Sequence, residues 1–390
     1  MGAYLSQPVT AKSSTDGADD TFAYGTTAMQ GWRTNMEDAH STILNLDDTN
    51  TSFFAVFDGH GGKEVALYAA KHLHEALKRE DAYKGGDMSA ALQASFLRLD
   101  EMMLAKDSAA ELTAFRNDGQ KSDEPSIAGL LGGEGSSAED KKSRRAEVNA
   151  KLRAALIEQV KEANPDIDED DIKFDFELDD DDFDEIAPSS SGSDAMNIDK
   201  AHEHWTGPQA GATSVVVVVR GDKVYCANAG DSRAVFCRKD GKAVDMSIDH
   251  KPMNDAERAR IMKAGGFVSE GRVNGSLALS RALGDFEYKQ NQNLTVEEQA
   301  VTALPEIKEF TIEQGDEFFI LACDGIWDVL SSQECVDFVR ERLKAGEEKL
   351  SKVCEELCDR CLAPDTRGSG LGCDNMSVII CVLKNKPSAV

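Results

Sequence analysis

Apolar residues in this chain fall into two kinds of pattern. Unbroken runs of β-branched and aromatic residues read as buried strands: Phe53 to Phe57, Ser214 to Val219, Phe318 to Ala322 and Met376 to Leu383. Ala23 to Ala28 reads as a first, shorter strand. Gly221-Asp222 turns one run back into Val224 to Ala227, and Asp240-Gly241 turns Ala234 to Arg238 onward, which gives an antiparallel meander. Elsewhere the spacing is helical. Val65, Tyr68, Ala69, His72, Leu73, Ala76 and Leu77 share one stripe, and Leu92, Phe96, Leu99 and Met103 share another. His72 and His74 stand two apart, so His72 reads as packed and His74 as solvated. Asp255 is placed to cap a helix that stops at Gly265-Gly266, and Ser331 with Glu334 forms a capping box for a helix to Lys344. Leu350, Val353, Cys354, Leu357, Cys358 and Cys361 trace a last helix. Periodicity alone predicts a mixed α+β domain.

The polar pattern changes between Asp107 and Lys200. That stretch holds 26 acidic and 11 basic residues, more than half of the chain's net charge of −28. Thirteen of the twenty residues from Asp166 to Glu185 are acidic. Such a run repels itself and buries too little to fold alone. The expected organisation is one domain over residues 21–384, interrupted by a largely disordered acidic insertion at 107–200, with tails at 1–20 and 385–390. Val148, Leu152, Ala155, Leu156 and Val160 mark one helix inside the insertion. The insertion reads either as a solvated spacer or as a docking surface for basic proteins, with Phe174, Phe176 and Phe183 as apolar anchors.

Charge and cysteine usage narrow the function. A strongly acidic chain is unsuited to direct nucleic-acid binding, because phosphate backbones need Lys and Arg. All nine cysteines follow residue 220 without a disulfide-like spacing, which points to a reducing, intracellular setting in cytoplasm or nucleus. No apolar run approaches the ~18 residues of a membrane span. Cys354 and Arg360 have the Cys-x5-Arg spacing of cysteine-dependent phosphatases. The residues between them contain no glycine, and their acids would repel a phosphate.

The chemistry collects at strand ends. Phe53 to Phe57 runs into Asp58-Gly59-His60-Gly61-Gly62, and Phe318 to Ala322 into Cys323-Asp324-Gly325. Val224 to Ala227 leads to Gly230-Asp231-Ser232, while Asp374-Asn375 precedes the final strand. Any one of these aspartates alone reads as a turn former. Four together, with His60 beside one of them, read as a centre of hard oxygen ligands for a divalent cation. Several carboxylates with one arginine and one histidine suit hydrolysis of a phosphate ester between two metal ions.

These residues carry a family resemblance. Glu37-Asp38, Asp58-Gly59-His60-Gly61-Gly62, Asp231-Ser232-Arg233, Asp324-Gly325-Ile326-Trp327-Asp328 and Asp374-Asn375 resemble the motif set of the type 2C metal-dependent Ser/Thr protein phosphatases. Arg272-Val273-Asn274-Gly275 and Ser280 to Asp285 belong to the same pattern. The resemblance spans residues 1 to about 105 and about 206 to 384, and within the family it is most similar to the gamma subtype. It implies a fold of two antiparallel β-sheets sandwiched between α-helical layers, and hydrolysis of phosphoserine and phosphothreonine by a water held between two Mg²⁺ or Mn²⁺ ions. Asp58 would bridge the ions, Gly59 would add its carbonyl, and Asp324 and Asp374 would complete the centre. Glu37 and Asp38 would hold metal-bound water, and Asp231 and Asp328 would take a third, weaker ion with Asp324. Arg33 would grip the substrate phosphate and His60 would protonate the leaving oxygen. Met1-Gly2-Ala3-Tyr4-Leu5-Ser6 fits an N-myristoylation pattern, and the resemblance implies an acylated Gly2 with weak membrane contact. The expected partners are phosphoprotein substrates and basic proteins, met by a monomer. A catalytically silent binding protein and a different two-metal phosphoesterase, such as a nuclease, are the rival readings. The intact ligand positions oppose the first and the acidic surface opposes the second.

Overall fold

The computed structural model describes residues 4–118 and 205–384. Gly2, the acidic stretch 119–200 with its expected helix at 148–160, and the tail 385–390 lie outside the described residues. In chain order the strands are β1 (Tyr4–Ala18), β2 (Phe22–Arg33), β3 (Ala39–Ile43), β4 (Thr51–His60), β5 (Gly211–Arg220), β6 (Lys223–Ala229), β7 (Arg233–Cys237) and β8 (Ala243–Asp245). The short β9 (Val268–Ser269), β10 (Arg272–Val273) and β11 (Leu283–Gly284) come next, then β12 (Glu306–Thr311), β13 (Phe318–Ala322) and β14 (Met376–Leu383). The helices are α1 (Glu64–Arg79), α2 (Asp81–Gly85), α3 (Met88–Leu104), α4 (Lys106–Asn117), α5 (Asp255–Lys263), α6 (Asp324–Trp327), α7 (Ser332–Lys344) and α8 (Leu350–Cys361).

One sheet runs β1-β2-β14-β13-β7-β8 and the other β12-β6-β5-β4-β3, with β11 paired to β5. Side chains alternate across each strand. Phe54 and Val56 of β4 meet Val215, Val217, Phe236, Phe319 and Ile379 in the space between the sheets. Phe53, Ala55 and Phe57 of the same strand face outward onto residues of α1 and α3. Phe318, Ile320, Val378 and Ile380 pack outward with α6, α7 and α8. The order of layers is therefore helices, sheet, sheet, helices, as the resemblance implied. Strands buried on both faces explain the unbroken apolar runs. The capping box at Ser331 and Glu334 opens α7 as expected. Cys354, Cys358 and Cys361 are a buried face of α8 with free thiols, and burial pushes Cys361 up to about 12.

Three expectations need correction. Residues 4–18 are not a tail: they form β1, paired with β2 from Tyr4↔Arg33 to Ala18↔Ala23. An edge strand needs backbone partners rather than an apolar face. This one is fastened by polar anchors to α8, through Asp16 to the backbone N–H and hydroxyl of Ser351 and through Ser14 to Glu355. The folded part also extends past Asp107, because α4 continues to Asn117 and buries Ala109 and Leu112. Its Glu111 receives Lys71 and His72 from α1, and its Ser108 meets the Tyr68 hydroxyl at 2.9 Å. Two buried side chains among charged neighbours were too faint a stripe to detect. His74, finally, is half-buried rather than fully solvated; its ring packs 6.0 Å from that of Phe53 and its Nε2 stays beside Glu75 at 3.5 Å.

The topology brings the strand-end aspartates to one edge. Ala322 at the end of β13 pairs with Val378 near the start of β14, and also with Arg233 at the start of β7. In the other sheet, Asp58 near the end of β4 pairs with Thr213 near the start of β5. Ser214 in turn pairs with Ala229 at the end of β6. The β6–β7 connection, Gly230-Asp231-Ser232, crosses between the sheets at that edge.

Candidate metal centre

The cleft at this edge has a volume of about 590 Å³ and is lined by Arg33, Glu37, Asp58, Gly59, His60, Asp231, Lys251, Asp324, Asp328 and Asp374, among others. Carboxylate atoms of Asp58, Asp231 and Asp324 all lie within 4.8 Å of one another. A second trio, Asp38, Asp58 and Cys323, is equally close, which places Asp38 behind Asp58. Gly59 is an obligatory glycine, since a Cβ there would stand 2.3 Å from the Glu37 carbonyl oxygen. The Glu37 loop is pinned by Asn375, whose Oδ1 accepts from Glu37 N–H at 2.9 Å while its amide donates to the Gln30 and Asn35 carbonyls.

Electrostatics set this cluster apart. Burial, followed by repulsion from Asp324, Asp38 and Asp374, drives the Asp58 carboxyl well above the usual carboxylate range. Asp324 is driven up by burial and then by Asp231 and Asp374. Asp38 rises to about 7, again chiefly through burial. Both Asp38 oxygens and Asp231 Oδ1 are buried without a hydrogen-bond partner. Buried acceptors left unpaired are costly. A divalent cation would satisfy the lone pairs and the repulsion together, and an all-oxygen donor set of carboxylates and carbonyls suits Mg²⁺ or Mn²⁺. The donor set therefore fits such ions.

Comparison with known proteins agrees with this chemistry. The sequence profile of the family described as protein phosphatase 2C matches residues 22–119 and 117–370. The chain belongs to the protein phosphatase 2C family. Probable protein phosphatase 2C 60 of Arabidopsis thaliana is 43% identical over 386 residues, which cover 99% of this chain and 93% of that one. Protein phosphatase 1G of Mus musculus is 36% identical over 505 positions, covering 98% of this chain and 93% of that one. The gamma subtype is thus one near relative among several. A crystal structure of a phosphatase from Toxoplasma gondii covers 96% of both chains at TM-score 0.60 and 21% identity, a likeness of fold. Family membership makes the chain a metal-dependent Ser/Thr protein phosphatase.

The protein phosphatase 2C cleft draws together the residues singled out in the sequence. Asp58, Gly59, Asp324, Asp374, Glu37, Asp231 and Asp328 line it, and Asp38 backs it. Arg33 pairs with Asp374 at 2.5 Å, not with its sequence neighbours Glu37 or Asp38. Its buried Nε has no partner. His60 does not stand free: its Nε2 lies 2.7 Å from Asp285 Oδ2. Burial pulls the His60 pKa down, but the charge and hydrogen bond of Asp285 outweigh it and leave the pKa raised. Sequence reasoning missed three contributors. Asn375 and Asp285 sat inside motifs already singled out, without a role. Lys251, ion-paired to Asp231 in the cleft, follows Asp249-His250 with no periodic or strand-end signal to mark it.

Proposed function

We propose that this cleft removes phosphate from phosphoserine and phosphothreonine in proteins, using two Mg²⁺ or Mn²⁺ ions held by Asp58, the Gly59 carbonyl, Asp324 and Asp374. Glu37 and Asp38 support that centre, and Asp231 with Asp328 and Asp324 takes a third, weaker ion. The observation that carries the reading is the approach of Asp58, Asp231 and Asp324, from separate strand ends, to within 4.8 Å of one another, with Lys251 paired to Asp231 while Asp58 and Asp324 remain driven up by burial and mutual repulsion. Bound there, the ions would screen the phosphoryl charge and lower the pKa of the attacking water. The chain's own groups do the rest. Arg33 exchanges Asp374 for the substrate phosphate, presenting a planar fork whose Nε is already free of other partners. His60 donates a proton to the departing serine or threonine oxygen. The test is hydrolysis of a phosphoserine peptide by the full chain. Turnover is expected with Mn²⁺ or Mg²⁺ and none after chelation; equal turnover in both conditions would overturn the reading.

Three further elements belong to the proposal. Gly2 carries a myristoyl group, and a single acyl chain gives only weak membrane affinity, K of roughly 10⁴ M⁻¹. The acidic insertion recruits basic proteins through screened, long-range attraction. The enzyme works as a monomer in the cytoplasm, the nucleus or both. An unmodified Gly2 in the intact mass of protein made in eukaryotic cells removes the first. Salt-independent binding to basic proteins removes the second.

A further inference from the structure

His60, Gly211 and Gly284 lie in one row across three strands: His60 of β4 pairs with Gly211 of β5, and Gly211 pairs with Gly284 of β11. Asp285 is the next residue after that row. Its carboxylate reaches back over Gly211 to His60 Nε2 at 2.7 Å. The bond exists only because position 211 has no side chain. A Cβ there would stand 2.4 Å from Asp285 Oδ2 and 2.5 Å from His60 Nε2.

Asp285 is held in place from several directions. Its backbone adopts φ +49°, a left-handed conformation that few residues other than Gly, Asn and Asp take up readily. Its N–H donates to the Ala210 carbonyl at 3.1 Å, and its own carbonyl accepts from Tyr288 N–H at 3.0 Å. Behind it, the neighbouring Gly284 N–H donates to Asp100 Oδ1 at 2.9 Å. Lys289 clamps Asp100 Oδ2 at 2.5 Å and the Ala282 carbonyl at 2.8 Å. The Asp285 side chain is 5% exposed, whereas that of His60, on the cleft wall, is 28% exposed. The structure thus spends an unusual backbone conformation, a glycine and a buried ion pair on one carboxylate–imidazole contact. Nothing else in the described residues uses the Asp285 carboxylate.

We propose that Asp285 is the positioning residue for His60. Its carboxylate accepts from Nε2–H, fixes the ring plane and balances the imidazolium charge, so that the proton given to the leaving oxygen comes from Nδ1–H and the ring left behind is the neutral Nε2–H tautomer. A carboxylate that orients a proton-transferring histidine is a recurring device, because a neutral imidazole otherwise divides between two tautomers. The proposal rests on the proton-donor role given to His60 above.

The test uses the full chain with Asp285→Asn, since asparagine tolerates the left-handed backbone but can turn an amide N–H₂ toward Nε2. In ¹⁵N-histidine NMR, the His60 signals, assigned by their loss in His60→Gln, should show the Nε2–H tautomer in the wild type. They should show a mixture or Nδ1–H in Asp285→Asn. In kinetics, kcat on a phosphoserine peptide should fall about 10²-fold, within the range for loss of acid–base assistance. KM should be unchanged, and kcat on 2,4-dinitrophenyl phosphate, whose leaving group needs no proton, should change less than about fivefold. In a His60→Gln background the same substitution should cost little more. Gly211→Ala, which leaves both side chains but drives a methyl between them, should reproduce the split. An unchanged tautomer, equal losses on both substrates, or losses that simply multiply would overturn the proposal. A wild-type chain inactive on phosphopeptides would instead overturn the function proposed above, and the NMR comparison would then decide the role of Asp285 alone.

Discussion

Glu257 and Asp38 are both carboxylates shut away from water, 3% and 8% exposed, and they meet opposite fates. Glu257, on α5, accepts from Arg281 Nη2 at 2.7 Å, Arg260 Nη1 at 2.7 Å and the Ser280 hydroxyl at 2.7 Å. Burial pushes its pKa up, but these bonds and the two arginine charges outweigh that and hold it down at about 2. Asp38 sits behind Asp58 with neither oxygen bonded. Burial dominates there, Asp374 and Glu37 add repulsion, and the nearby Ser377 and Cys323 offset this only in part, so the group rises to about 7. The fold therefore has the means to satisfy a buried acid and withholds them from Asp38 and Asp58, although it gives Asp374 and Asp231 a cation each. A region that keeps its negative charge short of cations is organised around something it must bind, at a cost to its own stability.

Removing a carboxylate from the cleft should abolish function without loosening the fold. Asp58→Ala and Asp324→Ala are each expected to reduce phosphopeptide hydrolysis at saturating Mn²⁺ to background. Their metal-free thermal midpoints should be no lower than that of the wild type, because each substitution relieves repulsion. Wild-type turnover by either variant would erase the distinction between the two kinds of buried acid. Glu257→Ala should do the reverse. Leaving Arg260 and Arg281 without their partner should cost roughly 3–5 kcal/mol in urea unfolding. The pH signature follows from the direction of the shift. Because the folded pKa is depressed, Glu257 contributes stability that is complete above its unfolded value near 4.5 and is lost as pH falls toward about 2. A loss of activity with unchanged stability would assign Glu257 to the wrong class.

Much of this contrast was legible in the sequence, and the remainder was hidden for identifiable reasons. The apolar runs at Phe53 to Phe57 and Phe318 to Ala322 announced doubly buried strands, and the aspartates that end them marked the cleft. The order of layers came from the family resemblance, because period-2 and period-3.6 patterns do not say which faces meet. β1 was invisible because its polar residues hold an edge by backbone pairing and by single contacts such as Asp16 to Ser351. Asp285 was invisible as a partner of His60 because the two are joined by the register of three strands and stand 225 positions apart in the chain. The Glu257–Arg260 pairing has helical i, i+3 spacing, but Arg281 completes the cluster from a distant segment.

Metal binding should move one region and leave the other untouched. In the metal-free protein, Asp38, Asp58 and Asp324 have folded pKa values above their unfolded ones, so the folded state holds more protons. Stability is then expected to fall as pH rises from about 4 to about 7. Mn²⁺ at one hundred times its dissociation constant should add about 2.7 kcal/mol per site and flatten that slope. The acid-limb loss assigned to Glu257 should persist with or without Mn²⁺. A metal-free stability profile flat between pH 4 and 7 would mean that the cleft carboxylates are satisfied after all.

The smallest effect is the sharpest probe of the comparison. Asp38→Asn removes one charge from the cleft while nearly preserving shape. One unit of pKa shift corresponds to about 1.4 kcal/mol, and the Asp38 carboxyl moves from 3.8 to about 7. Above neutral pH the ionised group is therefore a sizeable burden on the metal-free fold. The amide recovers only part of this, because it must itself be hydrogen-bonded in a site where only Ser377 and Cys323 stand near and neither native oxygen is well bonded, a cost of roughly 1–3 kcal/mol. The net expectation is a metal-free protein more stable by on the order of 1 kcal/mol at pH 8, from the difference of those two terms. At pH 5 the native Asp38 is already protonated, so the gain should vanish or reverse. With Mn²⁺ present the sign should invert at pH 8, since the native carboxylate behind Asp58 then offsets the charge of a bound cation. Urea unfolding of both proteins at the two pH values, with Mn²⁺ and with chelator, measures all four corners. The same change at Glu257 should destabilise in every one of them, because its partners are two arginines already in place.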